Sequence, residues 1–142
     1  MIIEFTVNGT PKGKARPRFV RVGKGVRTYT PKATETYQND VIAAYMQSNK
    51  GIKLNGPIYA RISAYFDIPK STPKYKRAGM RWYDKKPDVD NIVKAVMDAL
   101  NGIAYDDDKH VVWLVIRKKY GEPRVEITMG ELHEQTSNSR CN

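Results

Sequence analysis

Cysteine is nearly missing from this chain. Of 142 residues only Cys141 carries a thiol, which excludes a disulfide framework and a thiolate metal site and fits a reducing compartment. Histidine is almost as scarce: His110 and His133 are isolated in sequence, and no Ser-His-Asp or Cys-His set is visible. No apolar run approaches the roughly eighteen residues that a membrane span needs, and the opening MIIEFTVNG lacks a signal-peptide pattern, so the chain is expected in the cytoplasm. Acidic residues are absent altogether between 11 and 32.

What the chain has in excess is positive charge. Lys and Arg number 25 against 15 Asp and Glu, a formal net charge of +10 with a pI near 9.7, which points to a polyanionic partner. Two segments carry most of that excess. The first holds Lys12, Lys14, Arg16, Arg18, Arg21, Lys24, Arg27 and Lys32 without a counter-charge, together with Phe19 and Tyr29, which suit stacking on bases or wedging into a distorted duplex. It reads as a mobile stretch or a hairpin around Gly23-Lys24-Gly25. The second, Lys70 to Lys86, contains Lys74, Lys76, Arg77, Arg81, Lys85 and Lys86 with Asp84 as its only acid, and it leads straight into Asp88. A merely solvated basic loop is the plain alternative for either segment; eight cations in the first without one counter-charge favour nucleic acid.

Against this background the stretch from Lys85 to Val112 stands out. It gathers Asp88, Asp90, Asp106, Asp107 and Asp108 into two clusters joined by a predicted helix. With Asp90 as N-cap the helix runs to about Leu100 and stops at Asn101-Gly102. Ile92, Val93, Val96, Met97 and Leu100 form its apolar face; Asp90, Lys94 and Asp98, each four residues from the next, stack on the opposite edge. Two carboxylates about 4 Å apart repel by roughly 4 kcal/mol at an effective dielectric of ~20, so converging clusters must bind protons or recruit a cation. Oxygen donors without Cys or clustered His suit Mg²⁺, with Mn²⁺ able to substitute, rather than Zn²⁺. Taken singly, each residue has a duller role: Asp90 as cap, Asp88 on the helix dipole, Lys94 as a surface partner of Asp90 and Asp98, Asp98 as a structural group, and the triplet as a turn before a strand.

The pattern Asp-x-Asp-Asn-x-x-Lys-x-x-x-Asp at Asp88, Asp90, Asn91, Lys94 and Asp98, followed by Asp-Asp-x-x-Val at Asp107, Asp108 and Val111, resembles the signature of the RusA-like Holliday-junction resolvases. The match covers about the C-terminal half; it departs in His110, where the family commonly has Gln, and in the extra aspartate of the triplet. The N-terminal half matches more loosely, through its Arg-Pro-Arg segment and the Tyr-Thr-Pro before a helix. The resemblance implies that Asp88, Asp90 and Asp108 are the metal-binding carboxylates, with Asp107 the alternative to Asp108, and that Lys94 is the essential cation. It further implies a homodimer that resolves four-way DNA junctions by paired symmetric nicks in recombination and repair.

The rest of the chain reads as one α+β domain, 1–130, with a mixed or antiparallel sheet, two main helices and the order βαβαββ. Ile2 to Val7 alternates as a strand. Thr30 as N-cap and Pro31 at the first helical position open a helix to about Gln47, with Tyr37, Val41, Ala44 and Tyr45 inward. Ile58 to Ile68 gives the clearest period-two signal. Val111 to Ile116, apolar throughout, suits a strand covered on both faces; it continues to Tyr120 and is expected to form a hairpin with the strand carrying Val125, Ile127 and Met129. From Glu131 to Asn142 the polar tail is expected to be disordered. Two other functions fit the same composition: a basic nucleic-acid-binding module without chemistry, and a metal-dependent nuclease of other branched or hybrid substrates.

Overall fold

A computed structural model describes residues 1–15, 18–29 and 31–133. Its elements are β1 (Ile2–Asn8), β2 (Arg18–Val22), β3 (Gly25–Tyr29), α1 (Lys32–Asn49), β4 (Ile58–Phe66), α2 (Lys74–Arg77), α3 (Val89–Leu100), β5 (Val111–Tyr120) and β6 (Arg124–Glu131). The mixed α+β class is as expected, enlarged by a hairpin and a one-turn helix. Four strands form a sheet in the order β1-β6-β4-β5, and β2-β3 form a separate two-stranded ribbon.

Alternation places the sheet on its helices. In β1, Ile3, Phe5 and Val7 point inward and their neighbours outward. In β4, Ile58, Ala60, Ile62, Ala64 and Phe66 do the same, and in β6, Val125, Ile127 and Met129. This face meets Tyr37, Val41 and Tyr45 of α1 and Ile92, Val96 and Leu100 of α3. Phe5 meets the Tyr45 ring edge-on at 5.4 Å. Each fully buried Ile or Leu contributes about 1.5–3 kcal/mol, so this single core fixes how α3 lies on the sheet.

Several expectations are corrected. β5 and β6 do not form a hairpin. β6 runs antiparallel between β1 and β4, while β5 pairs with β4 in parallel. Parallel neighbours need a crossover, and the connection carrying α2 and α3 supplies it. Nor is β5 covered on both faces: it is an edge strand, with Val112, Trp113 and Leu114 exposed at 63%, 58% and 40%. Val111 and Ile116, at the ends of its apolar run, pack against the core, and the middle of the run stays open.

The helix ends also differ. α3 starts earlier than expected, so Asp88 and not Asp90 holds the N-cap position, with extended backbone and no capping bond from its side chain. Asp90 sits in the first turn, where its charge favours the helix dipole. α1 begins at Lys32 with Pro31 as N-cap residue; Thr30 lies outside the described residues. At the C-terminal end β6 continues through Glu131 and the Leu132 amide donates to the Pro57 carbonyl at 2.8 Å; the remainder of the tail, 134–142 with Cys141, lies outside the described residues.

Candidate active site

The amphipathic pattern of α3 decides what it shows to solvent. Ile92, Ala95, Val96, Met97, Ala99 and Leu100 are buried, which turns Asp90, Lys94 and Asp98 outward along one edge, successive turns apart. The chain then reverses through Gly102 at φ +80°, a conformation that favours glycine. Buried Tyr105 locks the reversal: its hydroxyl donates to the Met97 carbonyl at 2.7 Å, and the Gly102 amide donates to the Tyr105 carbonyl at 2.8 Å. Burial raises the Tyr105 pKa, and the negative charges of Asp108, Asp98 and Asp107 push it the same way.

The three aspartates that follow take three different roles. Asp106 pairs with Lys53 at 2.7 Å, and the hydrogen bond and charge of that lysine hold its carboxyl below the usual range. Asp107 accepts from the Lys109 amide at 2.9 Å, capping a short 3-10 turn at Asp108–His110, and that bond lowers its pKa. Asp108 is tied to the end of α3 by its own amide, which donates to the Asn101 side-chain oxygen at 3.0 Å. Its carboxyl lines a cavity of about 560 Å³ together with Asp90, Lys94, Asp98, Val93 and Met97. Burial raises the Asp108 pKa, then the Asp107 carboxyl and the charge of Asp98, while Lys94 opposes. Acidic residues distant in the chain therefore line one cavity beside α3.

Asp88 is set apart. It lines a neighbouring cavity of about 510 Å³ with Pro11, Lys12, Gly13, Lys14, Lys86 and Asn91. Among the described residues no group of three or more His, Cys, Asp or Glu side chains is gathered closely enough to hold a metal ion. What the donor chemistry fits is a hard, hydrated dication: Mg²⁺ binds through one or two carboxylates and keeps several waters, and Asp90 and Asp108 share a cavity with room for them. Burial first, and then the Asp107 and Asp98 carboxylates, raise the Asp108 pKa, and a bound dication would act in the opposite direction.

The approach to α3 is braced from β5. Lys118 donates to the Lys85 carbonyl and, at 2.8 Å, to the Pro87 carbonyl, and lies over the Tyr83 ring at 5.4 Å. Tyr83 stacks on Phe66 at 3.8 Å between ring centres and donates to the Lys86 carbonyl at 2.8 Å. Sequence reasoning missed Lys118 and Asn101 as supports; Asn101 was legible only as a helix stop. Lys14 ion-pairs with Asp98 across the face of α3.

The basic residues fall into distinct places. Lys12, Lys14 and Lys86 line the Asp88 cavity. Arg21 and Arg27 are exposed on the β2-β3 ribbon beside Phe19, which is 73% exposed; Arg18 stands on β2, and Arg16 lies outside the described residues. Lys74 and Lys76 are exposed on α2 and Lys85 beyond it. Arg77 instead staples its own loop, donating to the carbonyls of Thr72 at 3.0 Å and Lys70 at 3.1 Å. Arg81 lies over the Trp82 ring at 5.2 Å.

Residues 8–130 match the family model described as Endodeoxyribonuclease RusA. The chain is 37% identical over 138 residues to the uncharacterized protein YqaN of Bacillus subtilis (strain 168), covering 92% of this chain and 96% of that one. It is 25% identical over 134 residues to the crossover junction endodeoxyribonuclease rusA of Lactococcus phage r1t, covering 91% of this chain and 96% of the phage protein.

Proposed function

The chain belongs to the RusA endodeoxyribonuclease family, and from that premise we propose that it is a Mg²⁺-dependent endonuclease that resolves four-way DNA junctions by paired nicks, in recombination and repair. The observation that carries the reading is the meeting of Asp90, Lys94, Asp98 and Asp108 around one cavity, flanked by basic segments. Asp90 and Asp108 would hold the dication, with Asp88 joining from the neighbouring cavity and Asp107, already spent on the Lys109 amide, the poorer alternative. When bound, the ion polarises the scissile phosphate and lowers the pKa of an attacking water. Lys94 faces the phosphate and offsets the charge that builds on its oxygens in the transition state.

Lys12, Arg16, Arg18, Arg21 and Arg27 on one side, and Lys74, Lys76, Arg81, Lys85 and Lys86 on the other, collect the DNA backbone by counterion release, while Lys14 is already paired with Asp98. Arg77 contributes charge from a position fixed by its loop bonds. Two copies are proposed to pair through β5. Among the described residues its outer edge is bonded only at the far end, by residues 81–83, and Val112 and Trp113 are exposed along the rest.

The test is cleavage of a labelled four-way junction with and without Mg²⁺, in the parent and in Asp90→Asn. The parent should cut the junction in Mg²⁺ alone, and Asp90→Asn should lose about a hundredfold or more in rate with binding retained or tightened. A shift without cutting in both lanes makes the protein a binding module. Linear duplex cut as fast as the junction makes it a general nuclease.

A further inference from the structure

Lys94 sits on α3 between two carboxylates, Asp90 one turn before it and Asp98 one turn after. Helical lysines commonly pair with an acid four residues away. Yet among the described residues the ion pair that forms on this edge joins Asp98 to Lys14, which arrives from a loop 84 residues distant in sequence, and Lys94 has none. The Lys14 loop is seated firmly enough to hold its ammonium there. The Lys14 amide donates to the Asn91 carbonyl at 3.0 Å, and Gly13 lies so close to α3 that an added Cβ would stand 2.9 Å from that of Asn91. Both partners of the pair are about three-quarters covered, with side-chain exposures of 25% and 26%.

We propose that Lys14 is a positioning residue of the acidic cavity: by taking up the charge of Asp98 it leaves Lys94 free to face Asp90 and Asp108. Lys94 and Asp98 line the same cavity as Asp90 and Asp108, so a Lys94 ammonium drawn back onto Asp98 is withdrawn from the place where phosphate charge develops. The inference rests on the reading of this cavity as the reaction centre.

The experiment compares single-turnover cleavage of a labelled four-way junction in Mg²⁺ by the parent, Lys14→Met and Lys14→Met/Asp98→Asn. Lys14→Met should cut about three- to tenfold more slowly at saturating enzyme, and the second substitution, which removes the competing carboxylate, should restore the rate to within about twofold of the parent. A double variant no faster than the single one makes Lys14 a plain strap. A loss confined to junction affinity makes it a docking residue. A second measurement does not depend on activity or on the Lys14 variant folding: in side-chain NMR of ¹⁵N-lysine-labelled protein, Asp98→Asn should move the Lys14 ammonium resonance more than that of Lys94. The opposite order overturns the proposal. Should the parent cut no junction at all, the proposed activity fails while the NMR comparison still decides the role of Lys14.

Discussion

Replacing Gly13 by Ala asks how tightly the N-terminal basic segment is held on α3. A methyl at this position would stand 2.9 Å from Cβ of Asn91 and 3.0 Å from Cβ of Pro87. Neither neighbour yields easily, since Asn91 is on α3 and the Pro87 carbonyl is bonded to Lys118. The protein has two ways to respond. It can keep the loop in place, at the ~1–3 kcal/mol typical of overpacking. Or it can lift the loop, losing the bond from the Lys14 amide to Asn91, a net ~0.5–1.5 kcal/mol, and the partly exposed Lys14–Asp98 pair, ~0.2–1 kcal/mol. The cheaper route sets the limit, so the expected loss is about 1–2 kcal/mol, or roughly 3–6 °C in Tm for a domain of this size. Urea and thermal melts measure it, with Gly79→Ala as control: there the nearest atom is 3.9 Å away, φ is not positive, and the change should stay within about 0.5 kcal/mol. Equal stability of the two variants would refute the close seating of Gly13 on α3.

Three other outcomes follow from the geometry. Because the Asp108 pKa is raised in the folded protein, the folded state binds this proton more tightly than the unfolded chain, and stability falls as pH rises from the ordinary carboxylate range near ~4 through the raised value. Asp108→Asn should therefore melt slightly above the parent at pH 7, with the difference closing as pH falls; Mg²⁺ should raise the Tm of the parent and not of the variant, and an Asn variant that melts lower at neutral pH contradicts this. Trp113, 58% exposed on the β5 edge, tests the pairing of copies: in sedimentation velocity Trp113→Glu should run as a monomer where the parent runs as a dimer, and a variant that stays dimeric moves the interface elsewhere. Phe19→Ala should leave the Tm unchanged, since the ring is 73% exposed, and weaken junction binding by the ~1–3 kcal/mol of one stacked base; unchanged affinity in a fluorescence titration removes the ribbon from the DNA path.

Much of the fold was legible because its periodicities are strong. The alternation of β4 from Ile58 to Phe66 and the apolar stripe of α3 are both local patterns, and both elements are present where the patterns lie. That Asp90 and Asp108 line one cavity was permitted by their spacing but not dictated by it, since it also needs β5 to run back beside α3. Strand order was not. Val111 to Ile116 is apolar whether a strand is central or at an edge, and nothing local to Val125, Ile127 and Met129 says that their partners are β1 and β4. The cap was misplaced for a similar reason: Asp88 and Asp90 are both good caps, and choosing between them needs the backbone path before α3. Lys14 and Asp98 lie 84 residues apart, and a single sequence carries no signal that joins them.

The position of β6 has a bearing on how the enzyme comes into being. Among the described residues β6 is the one strand that pairs with both β1 and β4, and it is made after both of them and after every acidic residue of the cavity. A nascent chain can curl its helices early, but the platform beneath α3 closes only once synthesis has passed Glu131. The domain is thus assembled like an arch with its keystone set late.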